Sequence, residues 1–154
     1  MSELKTLQYI SPTVLKGKIT ENKCATWLLE QGYIVSIPEV PCQYDLLVDI
    51  ETKILKIQVK TCHLTEDNSG IVFNVSSTTN NTKGFTKKLY TENGVDYFMT
   101  YYKDNYYLIP FSDCGVKSKK LRFAPPANGQ RKNICFADDY LAEKILKKEV
   151  QQKE

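Results

Sequence analysis

Two strand-forming segments separated by three polar residues constrain the fold of this chain more than any other feature. Residues 44–50 and 54–61 are rich in aliphatic and β-branched residues, and Glu51, Thr52 and Lys53 form a polar turn between them. Such a short connection permits only an antiparallel pairing of the two strands. We therefore expect a hairpin in the first half of the chain.

Other segments surround this hairpin with further elements. A helix is predicted over 16–30, and Gly32 is expected to end it in the left-handed conformation. A last helix is predicted from Asp138 or Asp139 to about residue 148, followed by a frayed tail. The remaining predictions are strands at 33–37, 71–75, 97–102, 106–109 and 119–123, the last at a sheet edge, and a loop at 76–83. The fold class predicted is α/β (α+β): one domain over 1–154, with a central mixed β-sheet flanked by helices.

Composition excludes several classes of protein. The chain has 154 residues, 42% of them hydrophobic and 25% charged, as in ordinary globular domains. No apolar run is long enough to cross a membrane, and the N-terminal residues lack the apolar core of a signal peptide, so we expect a cytoplasmic protein. Five scattered cysteines and a single histidine, His63, argue against a zinc site and for reduced thiols.

Positive charge is concentrated in one part of the sequence. The net charge is only +3, but between Lys83 and Lys132 there are ten Lys and Arg residues against four Asp and Glu residues. Such a concentration attracts polyanions, nucleic acid above all, although a solvated surface explains it equally well. The candidates for phosphate contacts are Lys83, Lys87, Lys88, Lys117, Lys119, Lys120, Arg122, Arg131 and Lys132.

Glu21 stands out on the predicted helix. Its helical neighbours include Gly17, Cys24, Ala25 and Leu28, which are all small or apolar. Its carboxylate is therefore expected on the helix face that packs on the sheet, where a charge is costly unless it is paired or binds a metal. The alternative is an ordinary glutamate that turns out to solvent near the start of the helix.

Three polar residues of the predicted hairpin accompany Glu21. Asp45 opens the first strand, and Gln58 and Lys60 are two residues apart on the second, so they project from one face. A register with Asp45 opposite Lys60 and Leu47 opposite Gln58 brings all three together. Phosphodiester hydrolysis uses oxygen ligands for Mg²⁺ and a nearby lysine. Alternatively, the second strand simply has one wet face.

The same residues resemble a known superfamily. Gly17, Lys18 and Glu21, then Tyr44-Asp45-Leu46, then Gln58-Val59-Lys60-Thr61 are similar to the motifs of PD-(D/E)XK nucleases. The resemblance implies a restriction-endonuclease-like core in which Glu21, Asp45, Gln58 and Lys60 are catalytic. It also implies a metal held by Asp45, Gln58, Glu21 and the backbone carbonyl of Val59.

Two residues depart from the superfamily pattern. Tyr44 replaces the proline before the aspartate, and Gln58 replaces the second acid. The amide of Gln58 ligates through oxygen without charge, which weakens metal affinity. The Gln-x-Lys variant is similar to small endonucleases encoded in group I introns, as are the chain length and the later hairpin with Asp96 and Tyr107.

The resemblance implies a Mg²⁺-dependent endonuclease of the homing type, with Mn²⁺ as an expected substitute. Its partner is double-stranded DNA, and cutting two strands implies a homo-oligomer, a dimer or a dimer of dimers. Two alternatives stay open: a resolvase of Holliday-type junctions, and a catalytically inactive DNA-binding module of the same fold. His63 follows the motif strand but is interpreted as a surface residue.

Overall fold

A computed structural model describes residues 10–81 and 84–152, with the side chains of 78–81 and 84–88 outside the description. The helices and the first five strands are α1 (Pro12–Glu30), α2 (Ala142–Gln151), β1 (Ile34–Ser36), β2 (Leu46–Asp49), β3 (Ile54–Val59), β4 (His63–Leu64) and β5 (Gly70–Asn74). The other strands are β6 (Ser76–Asn81), β7 (Gly84–Leu89), β8 (Tyr97–Tyr102), β9 (Asn105–Pro110) and β10 (Ser118–Arg122). Neither of the helices described is long and apolar enough to span a bilayer.

A mixed five-stranded sheet forms the centre of the domain. Its strand order is β1-β2-β3-β8-β9, in which only β3 and β8 are parallel. Cys24 and Leu28 of α1 and Leu146 of α2 belong to one buried cluster with Ile57 and Met99 of the sheet. Both helices therefore pack on the same face of this sheet, and the predicted mixed sheet with helices is confirmed.

A second sheet covers part of the opposite face. Its order is β10-β5-β4, and β10 lies at its edge as the sequence predicted. Phe73 of β5 and Leu121 of β10 are buried together with Phe98 of β8, because Phe98 alternates with the helix-facing Met99. The central sheet is thus buried on both faces near β8, where β3 and its polar residues adjoin it.

The first helix begins earlier than predicted and ends where predicted. It starts at Pro12, a residue suited to the first helical position because it lacks an N–H that would be unbonded there. Its last residue is Glu30, and Gly32 has a φ of +91° in the left-handed region. The prediction that Gly32 ends the helix is confirmed.

The predicted hairpin is β2–β3, and its register differs from the one expected. Leu46 pairs with Ile57 and Leu47 with Lys56, so the pairing extends to Asp45 opposite Gln58. The expected partner of Asp45 was Lys60, two residues further along the strand. A shift of two residues keeps every side chain on its face, so Asp45, Gln58 and Lys60 still share one side of the sheet.

The loop predicted over 76–83 is wrong. Residues 76–81 form β6, which pairs with β7 from Ser76 opposite Leu89 to Asn81 opposite Gly84. The basic segment at Lys87 and Lys88 therefore lies on a strand. Among the described strands, β6 and β7 pair only with each other and form a two-stranded ribbon. Apolar alternation marks a strand that buries one face against a core. A ribbon that joins neither of the two larger sheets does not need that pattern.

The end of the chain also differs from the prediction. Asp138 and Asp139 lie in a 3₁₀ turn over Ala137–Tyr140, and α2 begins only at Ala142. The side chain of Lys144 donates to the Asp138 carbonyl, which links the turn to the helix. The helix continues to Gln151 beyond the expected end near 148, because Leu146 is buried and Val150 packs against the core.

Candidate active site

Asp45 is fixed by the backbone of β3. Its own N–H donates to the carbonyl of Ile57 at 2.9 Å, and its Oδ2 accepts from the N–H of Val59 at 2.9 Å. The aspartate therefore bridges the strand at two points just before β2 begins. Its carboxylate lies beside Gln58, the residue at its level in the sheet.

Burial and one nearby acid make the charge of Asp45 costly. Burial, together with the neighbouring Glu21 carboxylate, raises the pKa of the Asp45 carboxyl to about 6, against the opposing effects of the Val59 N–H and Lys60. Glu21 is partly buried and pairs with Lys18, Nζ to Oε2, at 2.5 Å. This pairing raises the pKa of Lys18. The helix and the hairpin thus bring two carboxylates together, as the sequence predicted.

Gln58 is buried beside Asp45. Its Nε2 donates to the carbonyl of Val59 at 3.3 Å, so the amide nitrogen, and not the amide oxygen, faces that carbonyl. An amide adds an oxygen donor to the two carboxylates without adding a third negative charge. Gln58 therefore limits the negative charge at this end of the strand.

Lys60 extends from the end of β3 toward the hairpin β6–β7. Its Nζ donates to Tyr90 Oη at 2.8 Å and to the carbonyl of Ser76 at 3.2 Å. Burial lowers the pKa of Lys60, and the charge of Asp45 raises it in part. The ammonium group is thus close enough to Asp45 to interact with its charge, while its hydrogen bonds go to other groups.

A hydrogen bond between two threonines, each next to a proposed catalytic residue, joins α1 to the end of β3. Thr20 Oγ1 lies 2.8 Å from Thr61 Oγ1 and donates or accepts there, and it also contacts the carbonyl of Lys16 at 3.0 Å. Thr20 is next to Glu21, and Thr61 is next to Lys60. This link sets the position of the helix-borne carboxylate relative to the hairpin residues.

A cleft of about 590 Å³ opens on Asp45 and Gln58. Its wall combines Asp45 and Gln58 with Gln43 on one side and Ser77 and Tyr90 on the other. The cleft therefore lies between the segment before β2 and the base of the β6–β7 hairpin. A ligand in this cleft would contact Asp45, Gln58 and Tyr90 together, and Tyr90 in turn binds Lys60.

The donors present fit a divalent metal ion. Asp45 and Glu21 supply two carboxylates, and Gln58 and Val59 supply amide and carbonyl oxygens, the hard donors that Mg²⁺ prefers. Burial and the Glu21 carboxylate both raise the pKa of Asp45, and a divalent cation bound between the two acids would offset both effects. Within the described ranges, no cluster of three or more His, Cys, Asp and Glu side chains is arranged for a metal.

A second cleft of about 570 Å³ lies across the sheet and has a different character. Two of its three acids, Asp96 and Glu149, are engaged within the protein. Glu149 binds both Tyr97 Oη and Lys53 Nζ, and Asp96 Oδ2 accepts from the N–H of Lys56 at 2.8 Å. These contacts fasten α2 and the turn before β8 to the sheet, which is a structural use of the charges.

The predicted DNA contacts are only partly described. Lys120 and Arg131 are exposed, as are Lys117 and Lys132, whereas Arg122 is half-buried and its Nε donates to the carbonyl of Ala124 at 3.1 Å. Lys83 lies outside the described residues. Lys87 and Lys88 lie on β7, with their side chains outside the description.

Lys119 does not fit the role predicted for it. It is 9% exposed, and its Nζ donates to the carbonyl of Asp113 at 2.6 Å and to Cys135 Sγ at 3.1 Å. Lys119 and Leu121 are two apart on β10 and both face inward. The prediction that Lys119 contacts DNA is therefore corrected: its ammonium group is used inside the domain.

Comparisons with known proteins agree with this geometry. A family model described as PD-(D/E)XK endonuclease matches residues 12–143, which include every motif residue named above. The chain therefore belongs to the PD-(D/E)XK endonuclease family. The resemblance inferred from Glu21, Asp45 and Gln58-Val59-Lys60 is confirmed.

Among solved structures, the chain is similar to a bacterial homing endonuclease, I-Ssp6803I. The identity is 28% and the TM-score 0.71, and the match covers 94% of this chain and 99% of that one. The comparison with curated proteins gave no match.

Sequence reasoning missed three contributors to this site. Tyr90 and Thr20 are not among the motif residues, and their contacts with Lys60 and with Thr61 join residues far apart in the sequence. Lys18 stands in the motif region, and its pairing with Glu21 at i and i+3 is a helical spacing that the sequence does show. His63 is exposed on β4, as interpreted.

Proposed function

We propose that this nuclease is a Mg²⁺-dependent homing-type endonuclease that cuts double-stranded DNA. One observation carries the proposal: Asp45 and Gln58 line one cleft together with Tyr90, which binds Lys60, and Glu21 lies close enough to Asp45 to raise its pKa. The similar solved structure is that of a homing endonuclease, which favours this branch of the family over others.

Each residue has a separate task in the proposed reaction. Asp45, Glu21, Gln58 and the carbonyl of Val59 hold the metal, with Mn²⁺ as an expected substitute. The metal supplies positive charge that polarises the scissile phosphodiester. Lys60 places an ammonium group beside the same point, where it stabilises negative charge that develops on the phosphate oxygens. The proposed catalytic residues are Asp45, Glu21, Gln58 and Lys60, and Val59 contributes only its backbone carbonyl.

Exposed basic residues and the half-buried Arg122 form the proposed DNA surface. Lys120, Arg122 and Arg131 contribute phosphate contacts, and Lys83, Lys87 and Lys88 join them by position in the sequence. Because one chain carries one such cleft, cutting both strands requires a second copy, so we propose a homo-oligomer, a dimer or a dimer of dimers. Location in the cytoplasm stays a prediction from the sequence.

Cleavage of a plasmid library with randomised inserts tests the proposal. The wild-type protein should cut library members with Mg²⁺ and Mn²⁺, and not with EDTA, and sequencing of the ends gives the site. Asp45→Asn, which keeps the Val59 contact, is the matched inactive control. Lack of cleavage with either metal, together with tight DNA binding, would favour the inactive module. Cleavage confined to a synthetic four-way junction would favour the resolvase.

A further inference from the structure

We infer that Tyr90 is a positioning residue for Lys60 in this nuclease, an inference that rests on the proposed function. Tyr90 holds the Lys60 ammonium group by two different contacts. Its hydroxyl accepts from Lys60 Nζ at 2.8 Å, and its ring centroid lies 4.7 Å from the same nitrogen. A hydroxyl acceptor and the face of an aromatic ring both favour a cation at that point.

Lys60 needs such a partner. A lysine side chain is long and flexible, and a half-buried ammonium group is stable only where its donors are satisfied. Within the described part of the chain, the ion pairs are those of Lys18 and Lys53, so Lys60 makes none there. Its hydrogen bonds go to Tyr90 and to the carbonyl of Ser76.

Both partners of Lys60 stand at the open end of the β6–β7 ribbon. Ser76 is the first residue of β6 and pairs with Leu89, and Tyr90 follows Leu89 directly. The lysine of the central sheet is therefore held between the two strands of the ribbon where they leave the domain. This arrangement ties the position of the ammonium group to the base of the ribbon.

Tyr90 is itself held in place. Its ring packs edge-on against Phe98, with the ring centroids 5.5 Å apart. The next residue, Thr91, donates its N–H to Gln43 Oε1 at 2.7 Å and its hydroxyl to the same atom at 3.0 Å. Because its ring contact and the anchored Thr91 hold Tyr90 in place, Tyr90 can hold the Lys60 ammonium group in a defined position.

Tyr90→Phe removes only the hydroxyl and keeps the ring on Phe98. We expect the single-turnover cleavage rate to fall about tenfold, the scale of one hydrogen bond to a charged group. DNA affinity, measured in Ca²⁺, should stay within about twofold, because the positioned group acts on the reaction. Tyr90→Leu, which also removes the ring, should lower the rate further. Tyr102→Phe is the matched control, since Tyr102 also faces a lysine, Lys103, outside the cleft.

A double variant separates positioning from direct contact with DNA. In the Lys60→Ala background, Tyr90→Phe should change the rate by no more than about twofold, because the group it positions is gone. A full tenfold loss in that background, or a weaker DNA affinity for Tyr90→Phe alone, would mean that Tyr90 contacts the substrate itself and would overturn the inference.

A spectroscopic measurement tests the contact without DNA. In ¹⁵N-labelled protein, an immobilised and hydrogen-bonded Lys60 ammonium group should give a resolved side-chain signal, assigned by its loss in Lys60→Ala. The signal should shift or vanish in Tyr90→Phe and persist in Tyr102→Phe. An unchanged signal, or an unchanged rate in an active enzyme, overturns the inference alone. A wild-type protein that cuts no DNA contradicts the proposed function and the role of Tyr90 with it.

Discussion

The hydroxyl groups of Thr20 and Thr61 lie 2.8 Å apart and join α1 to the end of β3. Each threonine is next in sequence to a residue of the candidate site, Glu21 in the helix and Lys60 in the strand. Thr20 is 3% exposed, so the bond is shielded from water on the helix side. The pair therefore couples the two halves of the site through one short contact.

Thr20→Val tests this link. Valine keeps the shape of the side chain and removes the hydroxyl, so we expect a loss of about 1 kcal/mol in the free energy of unfolding, measured with urea. A displaced Glu21 should also lower the single-turnover cleavage rate by about five- to tenfold, with DNA affinity unchanged. Thr26→Val, at an exposed site of the same helix, is the control. Equal cleavage by both variants would show that the helix is placed by its core contacts alone.

Asp45→Asn should stabilise the metal-free protein while it abolishes cleavage. Burial raises the pKa of the folded Asp45 carboxyl to about 6, from an ordinary value of 3.8 in the unfolded chain. Between these values the folded protein binds more protons, so its stability falls as the pH rises through this window and stays lower above it. Asparagine lacks this penalty and can still accept from the Val59 N–H.

The gain for Asp45→Asn should reach about 1–2 kcal/mol above pH 6, after solvent screening is allowed for, and should disappear toward pH 4. Urea denaturation in EDTA at pH 4.5 and at pH 8 measures both values. With saturating Mg²⁺ the order should reverse, since the metal binds the folded wild type and stabilises it. A variant less stable than the wild type at pH 8 in EDTA contradicts this account of the Asp45 charge.

Lys119 and Lys120 are adjacent, yet we expect alanine at position 119 to affect stability and alanine at position 120 to affect DNA binding. Lys119→Ala removes the buried donor to the Asp113 carbonyl and should lower the free energy of unfolding by about 1–2 kcal/mol. Lys120→Ala, at an exposed position, should change stability by less than about 0.5 kcal/mol. Only the Lys120 variant should weaken DNA binding and reduce its salt dependence. If the folded Lys119→Ala variant binds DNA more weakly, Lys119 contacts DNA after all.

Local sequence patterns were sufficient for most of the fold near the site. Alternation over 54–61 separated Gln58 and Lys60 from the buried Ile57 and Val59, and the face assignment survived a two-residue error in register. The hairpin β8–β9 was predicted for the same reason, since aromatic strand formers surround the turn at Lys103. These elements depend on neighbours in the sequence, which a single chain displays.

What the sequence did not predict depends on contacts over long separations. The sequence of β6 contains only polar residues, so it resembles a polar loop, and the contact between Tyr90 and Lys60 spans 30 residues. Lys119 is a different case. Its spacing of two from the buried Leu121 was visible in the sequence, but the local excess of positive charge favoured a surface role.

Gln58 determines the charge available for the metal. Gln58→Glu should bind Mg²⁺ or Ca²⁺ at least as tightly as the wild type, because it restores a carboxylate, and Gln58→Ala should bind more weakly. Calorimetric titration measures both affinities. Gln130→Glu, at an exposed position outside the cleft, controls for a general change in charge. If neither substitution at 58 changes the affinity while wild type binds metal, Gln58 is not a ligand.

Lys60 and Arg131 should separate chemistry from binding. Lys60 is proposed to act on charge that develops during the reaction, so Lys60→Ala should reduce the single-turnover cleavage rate by roughly 10²-fold or more and leave DNA affinity nearly unchanged. The exposed Arg131 is proposed to contact phosphate in the bound duplex. Arg131→Ala should therefore weaken binding and reduce its salt dependence, and cleavage at saturating DNA should be close to normal.

Single-turnover cleavage in Mg²⁺ and binding in Ca²⁺ at two salt concentrations give both quantities for each variant. Because Lys60 is held by Tyr90 and the Ser76 carbonyl, its removal also leaves the base of the ribbon without a shared partner. Circular dichroism and a urea curve must therefore show that Lys60→Ala is folded before its rate is interpreted. If folded Lys60→Ala binds DNA poorly and cuts normally once bound, Lys60 is one more phosphate contact, and the reaction depends on the carboxylates alone.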